Sequence, residues 1–396
     1  MTDAGGELRT TGVLALASCQ YPPGLLHEHV AYRSVERLAE KLLNWSGSGV
    51  DRCLMLAGDA VYVDPTAGLF DPERPRDKFE SPYGVLLTPQ WQALSPLVRK
   101  WFITVDDHEF MDNWEPTAAE PHPALLPVDL KSIGPLGSAL LHGKRAFGKF
   151  TRRLPGDLPD AELLARPLWY ADRQGEILCF VMDTRTEREL RTAAGVRTAR
   201  MVGDRQLRAL QAWLLELHTA DEAAPGRAPV PKFILSGSML LPRRQKVADS
   251  PTPGTALLSD AWDGYPATMT RVLELIARCR IRNVVFLSGD EHLSCLARIS
   301  LQYCNLDPVA VHSVHASPLY GPYPFANAKP WHFAESETFA LPVEGPATTT
   351  VRVSTHFAEI GDGFGLIVVQ QDRSGYSLRV TFSGLEAEVI DVVSLQ

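Results

Sequence analysis

Short apolar runs that end in clusters of polar residues recur along this chain. Residues 13–18, 52–57, 101–105, 177–182, 233–235 and 283–287 are each too short for an ordinary helix and read as buried strands. Their carboxyl ends carry Ser18-Cys19-Gln20, Gly58-Asp59, Asp106-Asp107-His108-Glu109, Asp183-Thr184-Arg185, Ser236-Gly237-Ser238 and Ser288-Gly289-Asp290-Glu291-His292. Between them lie stretches of helical period. Residues 32–45 place Val35, Leu38, Leu42 and Leu43 on one face, and residues 202–218 align Leu207, Leu210, Leu214 and Leu217 behind a Gly203-Asp204 start. Residues 267–280, 90–99 and 140–152 are expected to be helical as well. A strand is expected at Trp169 and Tyr170, and further strands at 296–301, 309–314, 349–353, 365–370 and 376–382. Residues 65–90, 115–140 and 242–258 have the proline, glycine and charge content of long loops.

Strands alternating with helices predict a layered α/β fold with a β-rich C-terminal portion over 317–396. In such folds polar groups at the carboxyl ends of strands converge on one site. Because these ends are spread along the chain, a single domain over 1–396 is expected, with no separate N-terminal β domain.

Composition narrows the function. At 45% hydrophobic and 22% charged residues the chain is of ordinary globular make-up, and no apolar run reaches the length of a membrane span. A formal net charge of -8 argues against a nucleic-acid or anionic-membrane surface. The opening MTDAGGELRTTG has no basic or apolar leader features, so a cytoplasmic location is expected. Six cysteines without a CxxC pair fit reduced thiols.

The chemistry gathers at Asp106, Asp107, His108 and Glu109. So many acids beside one imidazole either form a solvated turn or are neutralised by a bound cation. The repetition of acidic strand ends favours the cation. His108 follows Asp107 and could reach a leaving-group oxygen as general acid. Arg185 offers a planar fork to a phosphate oxygen, or forms a structural ion pair with Asp183. Tyr62 could be a core aromatic and Glu109 a helix N-terminal charge. His27 and His29 read as a polar loop and helix entry, His312 and His315 as structural histidines. The segment HEFMD is not the HExxH of a metallopeptidase, and no GxSxG elbow of a serine hydrolase occurs.

The blocks SCQ, GDAVY, DDHEFMDNW, MDTRTER, VGDRQLRALQAWL, WDGYPA and LSGDEHLS arrive in order between Cys19 and Ala316. Together they resemble the PhoD-like alkaline phosphatases of the calcineurin-like metallophosphoesterase superfamily. The resemblance implies a four-layer α/β/β/α sandwich and metal-dependent hydrolysis of phosphoric monoesters or diesters at a dinuclear site. It places Cys19, Asp59, Tyr62 and Asp290 around one ion, expected to be ferric iron. Asp59 and Asp290 would bridge to a second ion, calcium or another divalent such as manganese, magnesium or zinc, helped by Asp107. His292 belongs at the metal site or just behind it. Glu291 departs from the family's small apolar residue and adds a negative charge there, and His356 matches a family segment only thinly. The expected partner is a small phosphate-ester substrate, with the oligomeric state left open. The alternative is a catalytically idle metal-binding protein that keeps the fold.

Overall fold

The computed structural model describes residues 8–24, 27–45, 49–66, 69, 71–120, 134–316, 318–323, 327–342 and 347–395. The described strands are β1 (Arg9–Ala17), β2 (Asp51–Ala57), β3 (Lys100–Thr104), β4 (Tyr170–Gln174), β5 (Ile177–Val181), β6 (Lys232–Leu235), β7 (Val284–Ser288), β8 (Ser294–Tyr303), β9 (Val309–Ala316), β10 (Ser336–Ala340), β11 (Thr349–Ala358), β12 (Gly363–Gln371), β13 (Tyr376–Gly384) and β14 (Glu388–Leu395). They form a six-stranded sheet, β14-β13-β12-β1-β2-β3, and an eight-stranded sheet, β10-β11-β8-β9-β7-β6-β5-β4.

Side-chain alternation creates the layers. Val13, Ala15 and Ala17 of β1 pack outward under the helices Arg33–Leu43, Pro89–Leu94 and Pro135–Thr151. Leu14 and Leu16 point the other way and join Cys53, Met55 and Phe102 against Cys179, Val181, Phe233, Leu235, Val285 and Leu287 of the second sheet. The outer face of that second sheet is covered by the helices Asp204–Glu222 and Pro266–Cys279. The result is the α/β/β/α sandwich expected from the sequence.

β1, β2 and β3 run parallel, as do β5, β6, β7 and β9. Each sheet therefore delivers several carboxyl ends to one edge, and face-to-face packing joins the two edges. The Thr104 hydroxyl donates to the Met182 carbonyl across the seam, and Cys19 Sγ lies 3.7 Å from the Asp290 carbonyl oxygen.

The structure revises several boundaries. Trp169 lies just before β4. The helix expected over 90–99 ends at Leu94, because Ser95-Pro96 tightens the chain into a 3-10 turn. Residues 71–90 hold helical turns at Arg76–Glu80 and Ser81–Leu87, and the 242–258 segment holds Gln245–Asp249 and Pro253–Ala256. The helix expected from Leu140 begins at Pro135, inside the stretch read as a loop. Of the loops expected over 65–90 and 115–140, residues 67, 68, 70 and 121–133 lie outside the described residues. β10 and β14 were not anticipated, since charged residues interrupt their apolar alternation.

Candidate metal centre

The turns that leave the strands are backbone-strained. Cys19, Asp59, Asp290 and His292 have φ of 53°, 50°, 92° and 41°, a left-handed region that residues other than glycine seldom enter. Such conformations persist where surrounding structure imposes them, and they cluster at functional sites. Asp106 is pressed between two turns. A Cβ on Gly58, itself at φ 86°, would come within 2.6 Å of the Asp106 Cβ, and one on Gly237 within 2.9 Å of its Cγ. Only glycine allows that approach.

Two groups of potential ligand atoms result, Asp59 with Asp107 and His108, and Asp106 with Asp107 and Asp290, each lying within 4.8 Å of one another. Asp107 belongs to both. Asp59 and Asp290, expected to bridge, fall in different groups. Asp106 Oδ2 and Asp107 Oδ1 are buried and accept no hydrogen bond among the described residues. Burial, followed by the charges of Asp107 and Cys19, pushes the Asp59 carboxyl well above the usual range. Burial, followed by Asp106 and Glu291, does the same to Asp290, and burial raises Asp106 to about 6 against the pull of Arg185. Asp107 is held below its ordinary value: burial opposes this, but Arg185 and His108 prevail. Crowded buried carboxylates with open lone pairs are the donor set that suits hard cations, so these residues fit metal ions.

Arg185 is fully buried. Its guanidinium donates to Asp106 Oδ1 at 2.6 Å and to Asp260 Oδ2 at 2.7 Å, and stands 3.5 Å from Asp107 Oδ1. Arg188 grips the other oxygen of Asp260 and the hydroxyl of Ser238. Asp183 is not the partner of the Arg185 guanidinium. It accepts from the backbone amides of Arg185 and Thr186 at 3.1 and 2.8 Å and shapes the turn. Glu109 is not a helix-end charge either. Its carboxylate accepts from the amides of Asp59, Ala60 and Asp106 at 3.2, 2.8 and 2.8 Å, tying the turn after β2 to the turn after β3. His108 Nδ1 pairs with Asp64 Oδ1 at 2.8 Å. Burial lowers the imidazole pKa, but Asp107, Asp59 and Asp64 outweigh it and carry the value well above normal.

Cys19 and Tyr62 sit at the edge of the first group. Cys19 Sγ is 3.6 Å from Asp59 Oδ2, and the Tyr62 phenol is pushed up by burial and then by Cys19 and Asp59. His292 belongs to neither group; its Nδ1 pairs with Asn327 Oδ1 at 3.0 Å. The unexpected charge of Glu291 is met by Arg244, which approaches both carboxylate oxygens at 2.6 and 2.8 Å. His315 pairs with Ser288 Oγ at 2.9 Å, and burial drops His315 to about 3 and His312 to about 4, as suits structural histidines. His27 meets the Tyr320 hydroxyl and His356 pairs with Asp391 on the surface. Sequence reasoning missed Asp106 as a candidate ligand, Asp64 as the partner of His108, and Asp260. The DD pair was a signal for the first. Asp260, distant in sequence on an irregular segment, carried none.

Among the described residues no helix is long and apolar enough to cross a membrane. The sequence profile of the PhoD-like phosphatases matches residues 14–348. Comparison with curated proteins gives no match. A solved structure of PhoD superposes with a TM-score of 0.59 at 16% identity, covering 99% of this chain and 70% of that one, a likeness of fold. With the profile spanning most of its length, the chain belongs to the PhoD-like phosphatase family and is a phosphoric ester hydrolase.

Proposed function

We propose that this chain hydrolyses small phosphate esters at a dinuclear metal centre in which Asp107 serves both ions. The observation that carries this is the pair of acidic groups meeting at Asp107, with Asp106 Oδ2 and Asp107 Oδ1 buried and unsatisfied. Asp59 with Cys19 and Tyr62 would form the side suited to ferric iron, whose high charge favours anionic, strongly donating ligands and would keep a thiolate and a phenolate deprotonated. Asp106 and Asp290 form an all-oxygen side suited to calcium or another divalent ion such as manganese, magnesium or zinc. Bound there, the ions supply Lewis-acid polarisation of a phosphoryl oxygen and a nucleophilic water at neutral pH.

The chain's own residues do the rest. Asp64 fixes the ring of His108 through Nδ1 and leaves Nε2 to pass a proton to the leaving-group oxygen. Asn327 holds His292 in the same manner at the rim. Arg185, expected as a phosphate fork, engages carboxylates through Nε and Nη2 and leaves Nη1 buried without a hydrogen-bond partner among the described residues; the contacts it makes support a role in holding Asp106 and Asp260 in place.

A hydrolysis assay on metal-replete protein with monoester and diester substrates tests this reading. Asp290→Asn is expected to lower kcat by at least two orders of magnitude. No turnover by either would leave the idle metal-binding protein as the better account, and equal turnover by both would remove Asp290 from the site.

A further inference from the structure

A chain of aromatic rings leads from the metal centre to the surface. Tyr62 lies against His108 with ring centroids 4.1 Å apart, Tyr21 against Tyr62 at 4.9 Å, and Tyr323 meets Tyr21 edge-on at 5.5 Å. Exposure rises along the series: Tyr62 is buried, Tyr21 half-buried, and Tyr323 47% exposed. Two backbone hydrogen bonds hold the wall beside Cys19. Tyr320 N donates to the Cys19 carbonyl at 3.2 Å and Tyr21 N to the Tyr320 carbonyl at 3.2 Å, which together make the bridge between Gln20 and Tyr320. The Tyr21 hydroxyl donates to the Pro65 carbonyl at 2.6 Å, which fixes the ring.

A core cluster ends in buried rings; this one ends in an exposed ring that connects through Tyr21 and Tyr62 to an acidic, cation-fitting centre. Polar groups stand near the same wall: His292, held by Asn327, lies beside Gly321, and Glu291 is met by Arg244. A phosphate ester placed with its phosphorus at the carboxylates therefore has an aromatic side on which to lay its ester group. Resting on the phosphoesterase reading above, we propose that Tyr21 and Tyr323, backed by the buried Tyr62, form a stacking subsite for a flat ring on that group, making aryl or nucleobase-bearing phosphate esters preferred over aliphatic ones. Stacking of a ring on an aromatic side chain is sequence- and substituent-tolerant, so the subsite selects planarity over any particular ring.

The test is calorimetric binding of unreactive phosphonates to the metal-replete chain. Methylphosphonate reports the phosphate subsite alone, cyclohexylphosphonate adds apolar bulk without planarity, and phenylphosphonate and a nucleoside 5′-phosphonate carry the two kinds of flat ring. Both ring-bearing probes are expected to bind about tenfold tighter than methylphosphonate, with cyclohexylphosphonate in between. Tyr323→Ala and Tyr21→Leu should shrink that ratio to about threefold or less. Tighter binding of only one flat probe assigns the subsite to aryl or to nucleoside esters. Equal affinity for all four probes, a cyclohexyl probe as tight as phenyl, or a ratio unmoved in both variants overturns the subsite. Ring-selective binding without turnover would instead sustain it while overturning the hydrolase reading, and turnover without ring selectivity would do the reverse.

Discussion

Asp106 and Arg185 show how far single residues could be understood before the structure. Asp59, Asp107 and Asp290 stood out as candidates because each follows an apolar run, where a carboxylate has no ordinary structural task, and the fold gathers them into the two ligand groups. Arg185 was legible as a charged group near the site but not in its partners, since the carboxylate it shares with Arg188 is on Asp260, and no local pattern connects the two. A fully buried cation facing Asp106, Asp107 and Asp260 keeps their negative charge tolerable. Arg185→Leu is accordingly expected to lower the stability of the protein by on the order of 3–5 kcal/mol in urea unfolding. A phosphate-gripping Arg185 would behave differently, with stability kept and KM raised.

At the scale of elements, the site is built by turns more than by strands. The strands were readable because buried parallel strands are continuous apolar runs. The turns of four or five helical residues over 76–80, 245–249 and 253–256 were not, because so short a helix has no period to detect. Glycine has its effect at the same scale. The Asp106 side chain occupies the space that a Cβ on Gly237 or Gly58 would take. Gly237→Ala should therefore displace Asp106 without touching any ligand, weakening metal binding by roughly tenfold to a hundredfold in a competition titration with a chelator. Unchanged affinity would mean that Asp106 is no part of the cation site. Glu109 couples the same turns: a glutamine there must present its amide to a backbone N–H that now finds an oxygen, and Glu109→Gln is expected to cost about 1–3 kcal/mol of stability.

The whole molecule gathers charge that its own fold does not neutralise. The convergence of six strand ends was legible from the order of apolar runs; the meeting of two sheets through a shared interior was implied by the family resemblance and needed coordinates to be described. That convergence has a pH signature. Glu109 and Glu291 are raised to about 7, chiefly by burial, and Asp59, Asp290 and His108 stand well above their ordinary values. In the metal-stripped protein the carboxyls keep protons that the unfolded chain has released by pH 6.5, and His108 keeps one that the unfolded chain loses around that pH, so folding stability must fall as pH rises from about 7 to 8.5. Each retained proton contributes about 1.4 kcal/mol per pH unit. His142, His292, His312 and His315, depressed by burial, give the opposite slope, which fades above their unfolded value of about 6.5 and leaves the fall exposed above pH 7. Bound cations displace the protons and should flatten the profile, which urea midpoints with and without metal will reveal.

The central claim is that Asp107 joins two cation sites, and elemental analysis of reconstituted, desalted protein tests it most directly, with the visible spectrum taken on the same sample. The account predicts two metal ions per chain, a charge-transfer band when iron fills the Cys19 and Tyr62 side, and loss of both ions in Asp107→Asn. A single ion per chain, or two that survive Asp107→Asn, would contradict it.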